Sequence, residues 1–279
     1  MPPRNPFATA TDHYAAFKRG ASVYPPQNKD KFANTGIQYE AAQLPTYKHI
    51  PLRPPVGVLP FYHVPGETLC LPPRTGHDSL SDADYELAAK KLDCEALVIR
   101  AIAKQEGKDK GFDDHGRPTI LYEPTHFLSY TGPKNDADHF VPYEIYRARY
   151  PEVTQYLPPP STPYGSPDMQ WQHLQKAYLM NANAALQSVS WGKFQTLGSN
   201  FHLAGFASVE MLVSAVCSSE QKQLDAFVNF VSSLGLESAM NKKDWKAIAA
   251  GYNGKKYYVK HYDKKLEHIY ETLRSKSGT

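Results

Sequence analysis

Cysteine is scarce in this 279-residue chain, with three residues, and proline disappears after Pro167. Cys70, Cys94 and Cys217 are odd in number and too scattered for a disulfide framework or a zinc cluster. Cys94 and Cys217 fall in predicted helices and read as small core residues. Long hydrophobic runs are missing too. The longest, near Met211 to Cys217, is far too short to span a bilayer. Residues 1–20 hold no apolar segment of the kind a Sec signal requires, so export by another route is expected. Ser190 lacks the Gly-x-Ser-x-Gly elbow of a serine hydrolase, His115 and His126 lack ligand spacing, and no Gly-rich phosphate loop occurs. No metal and no cofactor are expected.

What is present is a globular composition, 41% hydrophobic and 21% charged. The net charge of +3 conceals an asymmetry. From Asn241 onward ten Lys/Arg face four Asp/Glu, which leaves a small negative balance for the rest of the chain. Such a tail suits either an anionic polymer or an ordinary solvated helical face. No nucleic-acid motif interleaves with these lysines, so no nucleic-acid partner is expected.

Thirteen of the 23 prolines lie in residues 1–75 and ten between Pro118 and Pro167. Residues 1–75 therefore read as a Pro-rich, extended or irregular region, with short strands around Val56 to His63 and a possible docking or loading role. Residues 76–279 read as one mainly α (α+β) domain. In it Ser79 to Asp82 caps a helix through Lys91, and Asp93 caps a second helix bearing Leu97, Val98, Ala101 and Ile102. Glu106 falls at the end of that second helix, before Gly107. Gly111 to Tyr122 reads as a turn and a short strand, and 131–168 as a Pro/Tyr-rich loop. Helices follow near 169–187, 191–197, 208–218, 219–234, 242–250 and 258–275, with Gly235 and Gly251 as stops and Asn241 as an N-cap.

A carboxylate at a helix C-terminus opposes the helix dipole, and among apolar neighbours it retains its proton near neutral pH. That is what a general acid needs for splitting a glycosidic bond. A second carboxylate, Glu123, follows the strand. Downstream lie Ser190-Trp191-Gly192-Lys193-Phe194-Gln195 and Gly251-Tyr252-Asn253-Gly254, which supply amide, hydroxyl and aromatic groups suited to a sugar.

These stretches together resemble the N-acetylmuramidase domain of phage endolysins and of cell-wall effectors, including those carried by type VI secretion. The likeness rests on Ala96 to Ala103 leading into Glu106, then Gly111-Phe112, Asp114-His115-Gly116-Arg117-Pro118, and Leu121-Tyr122-Glu123 with His126-Phe127. It continues through Ala184-Ala185-Leu186, Ser190 to Gln195 and Gly198, then Asp244-Trp245, Gly251 to Gly254 and Tyr262. Gly192 to Gln195 and Tyr252-Asn253 are also similar to elements of the wider lysozyme and lytic-transglycosylase superfamily. The chain departs from the family at Gly107, where a Ser is usual, and at Pro124, where an Arg is common.

The resemblance implies a lysozyme-like helical domain with a small β-hairpin beside the cleft. It implies Glu106 as general acid and Glu123 as second carboxylate, with Ser190, Trp191, Gln195, Tyr252 and Asn253 as substrate contacts. Peptidoglycan glycan strands would be the substrate and the protein a monomer. A secreted effector would also need a secretion apparatus and a cognate immunity protein, and would act on the wall in the target periplasm. Each residue also has a plainer role. Glu123 pairs with Arg117 or His126, Trp191 is a core aromatic, Gln195 caps a backbone group, and Tyr252-Asn253-Gly254 is a helix-ending turn. A lytic transglycosylase giving 1,6-anhydro products, or a non-catalytic peptidoglycan-binding protein, are the alternative functions.

Overall fold

The computed structural model describes residues 69, 71–72, 74–76, 79–107, 109–131, 151–154, 165–254 and 257–277. Its first helix forms where the sequence has a complete capping box. The Ser81 hydroxyl accepts from the Asp84 amide while the Asp84 carboxylate accepts from the Ser81 amide, satisfying two end donors at once. This helix, α1 (Asp82–Lys91), buries Tyr85, Ala88 and Ala89.

Helix α2 (Ala96–Gly107) buries Val98, Ile99, Ala101, Ile102 and Ala103 and ends with Glu106 in its last turn. Asp93 does not cap it. An N-cap takes extended backbone, whereas Asp93 sits at φ 50 and its carbonyl accepts from the Asn241 amide at 2.7 Å. Cys94 lies in this connection rather than in a helix.

Strands β1 (Ile120–Tyr122), β2 (Val189–Trp191) and β3 (Thr196–Leu197) make one antiparallel sheet in that order. Ile120 pairs with Trp191 and Ser190 with Leu197. The helix expected over 191–197 is therefore a hairpin. Gly192 at φ 71 and Gln195 at φ 48 are left-handed, which no helix tolerates twice in four residues. The Gln195 amide closes the turn on the Gly192 carbonyl at 3.1 Å.

Helices α3 (Pro124–Thr131), α4 (Pro151–Thr154), α5 (Pro167–Met180) and α6 (Ala182–Gln187) follow one another along the chain around this sheet. The single helix expected over 169–187 is broken at Asn181. That residue sits at φ −157 and accepts from the Ala184 amide at 3.0 Å, so it ends α5 and caps α6. Ser208 and Ser219 cap α7 (Val209–Ser218) and α8 (Glu220–Ser233). Gly235, at φ 65, lies just beyond the end of α8, as expected. Asn241 lies inside α9 (Glu237–Lys242) instead of capping a helix, and Asp244 caps α10 (Trp245–Asn253). Gly251 is interior to α10, and Gly254 at φ 79 follows it. The last helix, α11 (Tyr262–Ser277), packs on α2.

Two apolar clusters hold these elements. One joins the sheet, α5, α6 and α7 around Trp191, Phe201 and Leu212. The other joins α1, α2, α10 and α11 around Ile99, Phe227 and Ile248. Helix α8 serves both, with Ala226 in the first and Leu224, Phe227 and Val231 in the second. Contacts also cross the expected boundary at residue 75. The amides of Thr75 and Gly76 donate to the Ser218 carbonyl at 3.0 Å, and the Leu69 amide donates to Gln175 at 3.1 Å. The expected strands near Val56 to His63 and most of the 131–168 loop lie outside the described residues.

Candidate active site

A groove of about 910 Å³ runs past the C-terminal end of α2, within the size range of ligand-binding clefts. Its walls take Ile120, Leu121 and Ser190 from the sheet, Trp171 from α5, and Tyr252 and Asn253 from α10. Glu106 and Glu123 both line it.

Helix α2 delivers Glu106 because its apolar face is packed and its last turn projects into the groove. The Asn253 amide nitrogen donates to Glu106 Oε1 at 3.0 Å. Burial pushes the Glu106 carboxyl above the ordinary carboxylate range, against the opposing effects of the Asn253 hydrogen bond and the Lys260 charge. The other amide atom, Asn253 Oδ1, is buried and has no hydrogen-bond partner. An unpaired buried acceptor is costly, so this atom is poised for a donor from water or ligand.

The Tyr252 hydroxyl donates to the Phe194 carbonyl at 2.5 Å. Burial first, then the nearby Glu106 charge, push that hydroxyl well above the usual tyrosine range. Its ring meets Phe227 at 6.0 Å and Phe230 edge-on at 5.4 Å. Gln195 lines the groove, and its side-chain amide fastens the turn by donating to the Gly192 carbonyl at 2.9 Å. It is thus a backbone-capping group at the groove wall.

Glu123 follows β1, where its amide donates to the Ser188 carbonyl at 2.8 Å. Ser190 on the paired strand donates to Glu123 Oε1 at 3.5 Å, the outer limit of a hydrogen bond. Arg117 is engaged elsewhere: it donates to Asp113 at 2.8 Å and to Asp168 at 2.6 Å. His126 is held below its usual range by burial, opposed by the Glu123 charge.

Trp191, expected to contact substrate, does not reach the groove. It is 1% exposed, its indole N–H donates to the Leu186 carbonyl at 3.1 Å, and its ring meets Trp171 edge-on at 6.2 Å. On the middle strand of a covered sheet its side faces the core. Trp171 lines the groove instead. Its exposure had no motif to announce it, because Met169 to Trp171 reads simply as amphipathic helix. Tyr257, Val259, Lys260 and Tyr262 also line the groove from the stretch after α10. Only Tyr262 of these belongs to the motif series. Among the described residues no three His, Cys, Asp or Glu side chains come together as a metal site.

The groove thus brings two carboxylates, one pushed by burial toward its protonated form, against polar and aromatic walls. That arrangement suits acid-assisted cleavage of a glycoside. The crystal structure of Burkholderia AP3 phage endolysin is similar to this chain, with 31% identity and a TM-score of 0.57. The match covers 72% of this chain and 74% of that one. No curated protein matches. The N-acetylmuramidase family profile matches residues 95–274, from the turn before α2 almost to the end of α11. This span contains both carboxylates and every groove element named above, so the chain belongs to the N-acetylmuramidase family of glycoside hydrolases and acts on peptidoglycan.

Proposed function

We propose that the protein hydrolyses the β-1,4 bond between N-acetylmuramic acid and N-acetylglucosamine, with Glu106 as general acid. The observation that supports this is the Glu106 carboxyl: it lines a groove, burial raises its affinity for a proton, and a hydrogen-bond donor is already in place. Its proton passes to the bridging oxygen as the C1–O bond breaks, so the leaving sugar departs as a neutral alcohol. The carboxylate that remains is the form favoured by Asn253 and Lys260. Burial therefore favours the acid before transfer, and these two groups favour its product after transfer.

Glu123 is the second carboxylate. It meets the positive charge at C1, as nucleophile or as electrostatic partner, or it deprotonates the incoming water, with Ser190 restraining it. Asn253 Oδ1 accepts from the N-acetyl N–H of the bound sugar, which supplies its missing partner. Gln195 and Tyr252 hold the turn and the wall against which the sugar lies.

The substrate lies outside the inner membrane, so the protein acts there after export. Phage-type lysis and delivery as an antibacterial effector both provide such a route. In the second setting the producing cell requires an immunity protein, and the groove is the surface to be blocked.

The test is digestion of purified sacculi with mass spectrometry and NMR of the fragments. Wild type should release reducing muropeptides. Glu106→Gln, which keeps the shape and removes the proton, should be slower by a factor on the order of 10² to 10⁴. Undiminished lysis by that variant excludes the assignment. Products lighter by one water would identify a transglycosylase. The anomer formed, read beside Glu123→Gln, separates retention from inversion.

A further inference from the structure

Beside the groove, among side chains that do not line it, lies a buried charge cluster. Lys193 is 4% exposed and Glu220 5%. The Lys193 ammonium lies 3.2 Å from Glu220 Oε2 and 2.9 Å from Asp109 Oδ1, and it also donates to the Asp109 carbonyl at 2.7 Å. Glu220 is fully engaged in return. It accepts from the Gly111 amide at 2.9 Å and from the Leu80 amide at 3.2 Å. Gln223, one turn further along α8, accepts from the Lys193 amide at 2.7 Å. It donates to the Gly111 and Val216 carbonyls at 3.2 and 2.9 Å.

Burying charges is expensive, and an apolar pair of the same size would hold these segments together at least as well. What the ionic arrangement adds is direction. Glu220 and Gln223 stand on one face of α8 and fix two things at once: the chain leaving the Glu106 helix, at 109–111, and the backbone of the turn 192–195. The fit is close. A Cβ on Gly107 would lie 2.2 Å from the Lys193 carbonyl, and one on Gly192 would lie 2.6 Å from the Gln223 side chain. Phe194, next along the turn, supplies the carbonyl that holds the Tyr252 hydroxyl. Asn253, which binds Glu106, is the neighbour of Tyr252.

We propose that Lys193, clasped by Glu220 and Asp109, is a positioning residue for the general acid. It seats the 192–195 turn against the end of α2 and so keeps water away from the Glu106 carboxyl. This rests on Glu106 being that acid. The groups facing Lys193 are Glu220 from α8 and Asp109 from the loop after α2, with Tyr85 of α1 behind Asp109. Those facing Glu106 are Asn253, Tyr252 and Lys260.

The experiment compares kcat/KM on sacculi across pH for wild type, Lys193→Arg, Lys193→Met, Lys193→Met with Glu220→Gln, and Asp109→Ala. The double variant leaves no charge buried alone. Asp109 is more than half exposed but sits at φ 62, where alanine is strained, so the melting midpoint of its variant is measured beside the rate. A turn set loose admits water, which lowers the Glu106 pKa toward its ordinary value. The limb on which activity falls with rising pH should then move to lower pH. Lys193→Met should lose activity about tenfold to a hundredfold, as small misplacements of catalytic groups do. Asp109→Ala should shift the limb less and in the same direction, and Lys193→Arg should restore most of the rate. A folded double variant and Asp109→Ala that both keep the wild-type limb and rate overturn the proposal. Failure of the double variant to fold leaves Asp109→Ala and Lys193→Arg to decide it by the same readout. Glu106→Gln runs alongside: if it stays active the acid assignment falls, whereas if it is inactive and the limb never moves only the positioning role falls.

Discussion

Glu106 carries an opposition that thermodynamics makes measurable. Because burial raises its pKa in the folded state, the native protein binds this proton more tightly than the unfolded chain does. Its contribution to stability is intact below the unfolded value, about 4.3, and is lost as pH rises through the higher folded value. Glu106→Gln abolishes that loss. The melting midpoint of the variant relative to wild type should therefore climb from pH 4 to pH 7, and a constant difference would contradict a buried acid. The presence of an acid at 106 was legible from its place at the end of an apolar helix, and Asn253 from its Tyr-Asn turn. The bond between them, at 3.0 Å across 147 residues of chain, had no local signal. Trp191, open to reading as a substrate contact or as a core aromatic, is the core aromatic. The motif alone leaves those two roles open, and its place on the middle strand of the sheet decides between them.

At the level of elements, caps were readable only in part and backbone reversals were not. The stretch Ser79 to Asp82 announced α1, whereas Asp93 is left-handed and Asn241 lies inside a helix, so neither caps the helix expected of it. The β2–β3 hairpin looked helical because its strands have three and two residues, too few to show alternation. Its left-handed Gln195 gives no compositional warning. The junction of that hairpin with α2 makes one departure from family pattern intelligible. Where a serine commonly follows the acid, this chain has Gly107, and any Cβ there would meet the Lys193 carbonyl at 2.2 Å. Restoring the family residue by Gly107→Ser should thus harm this protein. A loss of about 1–3 kcal/mol is expected from such overpacking, read as a lower melting midpoint and reduced lysis. Unchanged stability would mean that the turn is free to retreat.

For the molecule as a whole, the division into a Pro-rich N-terminal region and a helical remainder was drawn from proline spacing. Contacts do not respect the line at residue 75. Arg74 lies 3.8 Å from the centre of the Phe112 ring, Leu69 and Leu71 pack on the first cluster, and Thr75 and Gly76 bind the end of α7. Removing residues 1–68 should spare lysis of sacculi in vitro, whereas removing 1–78 should lower the melting midpoint and the rate. Equal behaviour of the two truncations would show these contacts to be incidental. The second cluster has a consequence of another kind. Phe194 stacks on Phe227 at 4.4 Å, and Phe227 and Phe230 meet the Tyr252 ring, so one wall of the groove is the outer surface of a packed interior. Diversification among relatives cannot work on such a wall without unsettling the fold beneath it. The rim after α10 is different: Tyr258 and Val259 stand 61% and 64% exposed. New preferences for wall chemistry have room to arise there, at the margin, while the chemistry beneath stays as it is.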